Sequence, residues 1–172
     1  MKGFKLMFLV LGISLAIASV WNSFPVIKET AHSILDPTAG ALINWNTNIG
    51  FIIVIFISTL FTVLVQKFTT DQKELKKLRQ EQKILREEMK KYRNHPEKML
   101  ELNKKQLEFI PKTFDLTTKS FVYTAIPFIL LFRWFGDFLD GIRFFGFLSW
   151  FWFYFILTII LSSILRKILK VY

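Results

Sequence analysis

FTTDQKELKKLRQEQKILREEMKKYRNHPEKM, residues 68–99, packs charge and turn residues into the middle of a chain that is otherwise strongly apolar. The stretch before it, IGFIIVIFISTLFTVLVQ at 49–66, has 18 residues without a charge and closes on Lys67. At about 1.5 Å per residue it is roughly 27 Å long as a helix, close to the hydrocarbon thickness of a bilayer. Half of all residues are apolar and 20 of them are Phe, gathered in blocks rather than spread as a soluble core requires. The order predicted is a membrane helix, a water-loving arm, then membrane again.

Over residues 67–119 there are 15 Lys or Arg against 9 Asp or Glu. Leu75, Leu78, Gln82, Leu85, Met89 and Tyr92 alternate spacings of three and four, which makes a heptad seam. His95-Pro96 interrupts the helix, because proline lacks the amide and disfavours helical geometry in the residue before it. A second arm is predicted from there, with Met99, Leu102, Gln106 and Phe109 on one face, Leu100, Leu107 and Ile110 beside them, and Pro111 at its end. Folded back on the first, it makes an antiparallel coiled-coil hairpin in which Gln82 and Gln106 interrupt the seam on either side and specify register if they meet.

The remaining segments follow from charge and length. Residues 120–135 form a second span kinked at Pro127, 136–143 a short turn, 144–165 a third span and 166–172 a basic tail. Residues 1–48 hold an apolar helix over 6–21 and an ordinary connector, whose AGALINW at 39–45 suits a short helix in the headgroup plane. The basic start and the tripeptide Ala16-Ile17-Ala18 before Ser19 also fit a secretory signal. Retention as a signal anchor is expected, with Trp21 as its interfacial anchor. The fold class predicted is all-α and integral to the membrane: a three-helix core, an N-terminal apolar helix, and a coiled-coil hairpin between the first and second core helices.

Basic residues are concentrated in 67–119 and in the tail, while residues 22–48 and 136–143 have one each, Lys28 and Arg143. By the positive-inside rule, hairpin and C terminus are cytoplasmic in a multi-pass protein of the cell (plasma) membrane. Lys2 and Lys5 put a retained N terminus inside as well, giving four spans; cleavage leaves three.

QKFTTDQKELKKL at 66–78, HPEKM at 95–99, the proline-bearing span and LSSILRKILKVY at 161–172 together resemble the small archaeal members of the YidC/Oxa/Alb insertase superfamily, which are similar to the third subunit of the eukaryotic ER membrane complex. The resemblance covers about residues 35–172. It implies a membrane insertase that moves short hydrophobic segments of nascent proteins from cytosol into the bilayer without nucleotide hydrolysis, through a polar groove open to cytosol and lipid. The partners implied are those nascent segments, membrane lipids and a ribosome met by the basic hairpin. The sequence names no partner subunit.

Groove candidates stand at helical spacing. Ser58, Thr62 and Gln66 share one face of the first core span, Ser120 and Thr124 with Tyr123 beside them lie on the second, and Thr158 and Ser162 on the third. Hydroxyls in membrane helices also bond the carbonyl one turn back or let helices approach closely, so no single residue decides between groove and packing. Their shared depth favours a groove. Bacterial members carry an arginine there, whereas residues 37–66 hold no charge; Lys119 at the mouth is the candidate substitute, and snorkelling explains it equally.

Other chemistry lacks its residues. Cysteine is absent, His32 and His95 fall on opposite sides of the membrane, no carboxylate lies within a span, and there is no glycine-rich phosphate loop. Asp137 and Asp140 are expected only to cap and solvate a turn. No catalytic residue, metal site or cofactor is predicted, and the chain is not expected to be an enzyme. The alternative function is a non-catalytic scaffold or small ion channel organised by its coiled coil.

Overall fold

The computed structural model describes residues 2–171; Met1 and Tyr172, at the outer ends of segments 1–48 and 166–172, and the side chains over residues 2–4 lie outside what is described. In chain order the elements are α1 (Lys2–Val20), α2 (Pro25–Leu35), a π turn (Asp36–Gly40), α3 (Ala41–Trp45), α4 (Thr47–Thr69), α5 (Gln72–Lys91), α6 (Pro96–Phe138), β1 (Arg143–Phe144), β2 (Leu148–Ser149) and α7 (Trp150–Leu169). Helices α4, α6 and α7 are each long and apolar enough to cross a membrane, and α1 with the α2–α3 segment, bent by 93°, makes up to a fourth span. The chain is an all-α membrane protein apart from one two-residue ladder.

Helix α4 is the axis of the molecule. Asn46 starts it by accepting the Ile49 N–H at 3.0 Å, and its 23 residues contain no proline. Asp71 then accepts the amides of Lys73 and Glu74 at 2.9 and 3.0 Å, which starts α5 at once and turns the chain from lipid to water. Helix α5 runs back along the first part of α6, burying Leu75, Leu78, Leu85 and Leu102. Gln82 and Gln106 do not meet to fix the register; they stand on the wall of a gap of about 590 Å3 between the two helices. At the outer end of this arm Glu101 accepts from Lys98 at 2.6 Å and Lys105 at 2.9 Å, and those contacts hold its carboxyl down to about 2. A depressed carboxylate contributes above its ordinary range and is lost only as pH falls toward 2, so this exposed cluster stays charged at any working pH.

Three expectations are corrected. Pro111 does not end the second arm: α6 is one helix of 43 residues that passes through both Pro111 and Pro127. A proline forfeits one hydrogen bond and adds a kink, while ending the helix would leave four carbonyls without an intrahelical partner. The threonines that follow bond back one turn, Thr113 donating to the Phe109 carbonyl at 2.8 Å and Thr117 to the Thr113 carbonyl at 2.8 Å, a contact that goes with bending of a helix. Next, the connector over 22–48 is helical, with Ala31 and Ile43 buried in the core. Lastly, the final span begins at Trp150, not Phe144; residues 143–149 form a tight hairpin whose turn residues Phe145 and Gly146 have φ of 52° and 84°.

The core gathers at the end remote from the charged arm. Phe51 on α4 meets Phe135 edge-on at 5.1 Å and stacks on Phe144 at 4.6 Å, and Phe144 stacks on Phe153 at 5.0 Å. Around these rings a polar clasp ties the connector to the end of α6. Trp21 Nε1 donates to Asp137 at 2.8 Å, Lys28 pairs with Asp137 at 2.9 Å, and Trp134 Nε1 donates to Asp36 at 2.7 Å. His32 sits between the two carboxylates, with Nδ1 at 3.1 Å from Asp36 and Nε2 at 3.5 Å from Asp137. Asp137 therefore fastens the turn after α1 and helix α2 to the end of α6 rather than merely capping a turn, and Trp21 is fully buried rather than an interfacial anchor.

Candidate functional site

A cleft runs between one face of α4 and one face of α6. On α4 the face is Val54, Ile57, Ser58, Phe61, Thr62 and Gln66; on α6 it is Thr117, Ser120, Phe121, Thr124, Pro127, Leu130 and Leu131. Both series step by three and four, so each forms one continuous stripe. Gln66 and Val54 are twelve positions apart, which makes the wall about 18 Å tall.

The cleft has two parts. Toward the charged arm is a cavity of about 840 Å3 lined by Thr62, Gln66, Thr118, Ser120 and Thr124, with Arg79, Lys83 and Arg86 from α5 and Arg166 from α7 at its edge. None of its lining residues is acidic. Deeper lies a second cavity of about 690 Å3, walled by Ile57, Phe61, Leu130 and Leu131 and roofed by Ala31, Leu35 and Thr38 of the clasped connector. Polarity therefore falls from cationic mouth to hydroxyl wall to apolar pocket along the stripes of α4 and α6.

Local geometry sets what the wall offers. Thr62 Oγ1 donates to the Ser58 carbonyl at 2.9 Å and Thr124 Oγ1 to the Ser120 carbonyl at 3.0 Å. With the hydroxyl proton spent on the backbone, the oxygen lone pairs remain as acceptors beside the cavity. At its edge, Ser162 accepts from Arg166 Nε at 3.2 Å, which holds that guanidinium at the end of α7. Among the described residues no carboxylate forms an ion pair with any of the four edge cations. Four like charges beside low-dielectric walls focus a positive field into the cleft.

Of the residues expected in a groove, Thr62, Gln66, Ser120 and Thr124 come together in the cationic cavity, and Ser58 lines the deeper one while sharing a 3.3 Å hydrogen bond with Tyr154 of α7. Tyr123 is 62% exposed on another face of α6, and Thr158 has a buried hydroxyl apart from the cavity. Lys119 is exposed and does not line the mouth. The positive field comes instead from Arg79, Lys83 and Arg86, whose four-then-three spacing puts them on one face of α5, a periodicity readable in the sequence beside the leucine seam.

A family model described as "Integral membrane protein EMC3/TMCO1-like" matches residues 33–148, from the clasped connector through α4, the charged arm and α6 to β2. The chain belongs to the EMC3/TMCO1-like family. Neither a curated protein nor a solved structure matches it. The EMC3/TMCO1-like family is a branch of the YidC/Oxa1/Alb3 superfamily, and membership gives the chain an insertase-related role in the membrane. Both walls of the cleft fall inside the matched residues.

Proposed function

We propose that the α4–α6 cleft receives the polar flank of a short hydrophobic segment of a nascent protein, so that the segment itself slides from cytosol into lipid. The observation that carries this reading is the gradient from Arg79 and Arg166 through Thr62, Ser120 and Thr124 to Phe61 and Leu131. The positive-inside rule turns the charged arm and the mouth toward the cytoplasm, where a client arrives. A basic arm there also meets a ribosome or an emerging chain before the client reaches the cleft.

Size limits what enters. A spanning helix about 10 Å across and about 30 Å long occupies roughly 2,400 Å3, more than either cavity offers. A few extended residues fit, and these are the ones that cost most to move. A charged residue at the bilayer centre costs about 3 kcal/mol even in the mildest measure. Acceptor oxygens, water and a positive field over the first part of the path lower that barrier, and the apolar remainder of the client leaves sideways into lipid. No nucleotide is needed, because the transfer of apolar surface from water into lipid drives the step.

The test is reconstitution. Liposomes holding the purified chain and offered a single-span client with a short flank are expected to protect severalfold more client from protease than empty liposomes. Equal protection would remove the insertase reading and favour a scaffold.

A further inference from the structure

The cleft is too small for a helix, yet its mouth concentrates four cations with no lining carboxylate to balance them. Its chemistry also changes along its height in the order that a phospholipid presents: a charged zone at the level of Arg166 in the last turn of α7, then hydroxyls, then an apolar slot between Phe61 and Leu131. The wall of about 18 Å compares with about 15 Å for one leaflet of hydrocarbon. A client engages this path only while it inserts, and without one an apolar pocket of about 690 Å3 beside the connector is left to be filled.

We propose that, when no client is present, the cleft holds one anionic phospholipid of the leaflet facing the charged arm, its phosphate among Arg79, Lys83, Arg86 and Arg166 and one acyl chain along the Ile57–Leu130 wall. Charge complementarity selects the class of occupant. A zwitterionic headgroup brings its own ammonium into a site that already holds four cations, and that repulsion disfavours it, whereas an anionic headgroup neutralises the field. Guanidinium groups suit the job, because their planar donors match phosphate oxygens in pairs. Ser162 holds one of them, Arg166, in place through the Nε contact. The lipid keeps the slot filled and is displaced when a client's polar flank takes the mouth.

The test uses the full chain in a mild detergent, equilibrated with equal amounts of phosphatidylglycerol and phosphatidylcholine of identical acyl chains and read by native mass spectrometry. One phosphatidylglycerol per chain is expected, with at least tenfold preference over phosphatidylcholine. The exposed-side double change Arg79→Gln with Lys83→Gln, and separately Arg166→Gln, are each expected to cut that preference at least threefold, with thermal melting by circular dichroism unchanged. Equal retention of both lipids, or preference untouched in both variants, would overturn the proposal. So would displacement of the lipid by millimolar inorganic phosphate, which would make the site one for free phosphate, or retention of an acidic peptide in place of any lipid. Displacement by a client rests on the insertase reading, but the two fail separately, because a chain that inserts clients yet retains both lipids equally refutes only the lipid site.

Discussion

A chain carrying Thr62→Leu, Ser120→Ala and Thr124→Leu is expected to insert a single-span client at least about tenfold more slowly than wild type while melting at the same temperature. The three residues line the cationic cavity from both walls, and each contributes an oxygen beside the path of the client's flank. A tenfold loss corresponds to only about 1.4 kcal/mol of barrier, less than half the cost of taking one charge to the bilayer centre. Folding should not suffer. Thr62 and Thr124 spend their hydroxyl protons on carbonyls within their own helices, so leucine removes no contact between helices, and the cavity has room for its methyls. The control is Tyr123→Phe, one residue away on an exposed face of α6, which should insert normally. Normal insertion by the folded triple variant would take these oxygens out of the account.

Gly50→Ala is expected to be the most damaging single methyl in the chain. A Cβ there would overlap the carbonyl of Leu42, where the last turn of α3 crosses the start of α4. Backbone cannot swing aside as a side chain does, so the crossing must open, at a cost of about 3 kcal/mol. The effect should be graded across the glycines. Gly40→Ala puts its methyl 3.0 Å from the Phe138 ring, a side chain rather than backbone, whereas nothing lies within 4 Å at Gly12 or Gly136. Thermal unfolding followed by circular dichroism should rank Gly50 far below Gly40, with Gly12 and Gly136 at or above wild type, since alanine favours a helix over glycine by up to about 1 kcal/mol. Wild-type melting of Gly50→Ala would refute the crossing and with it the roof over the deeper cavity.

The spans were legible because lipid imposes a simple demand: an unbroken apolar run of fixed length, as in residues 49–66. What composition hides is how polar residues pair across distance. Asp36 and Asp137 are 101 positions apart in the chain, and nothing local reveals that one accepts from Trp134 while the other accepts from Trp21. Proline misled at position 111, since its local rule favours a break and the membrane-side continuation of α6 outweighed it. In the candidate site, helical spacing brought Thr62, Gln66, Ser120 and Thr124 to one cavity, because periodicity fixes which residues share a face. It did not say which faces meet. Tyr123 sits one residue from the cavity and turns away, Thr158 is buried elsewhere, and the cations come from α5 and α7 in place of Lys119.

The chain has no cysteine, so a single one introduced by substitution reports its own surroundings. Thr124→Cys and Tyr123→Cys are adjacent on α6, one lining the cavity and the other exposed on another face, at nearly the same depth. With the protein in sealed vesicles and a membrane-impermeant maleimide on the side of the charged arm, rapid labelling at 124 and little at 123 is the predicted result. Equal protection of both positions would mean that no water reaches between α4 and α6, and would contradict the account at its root.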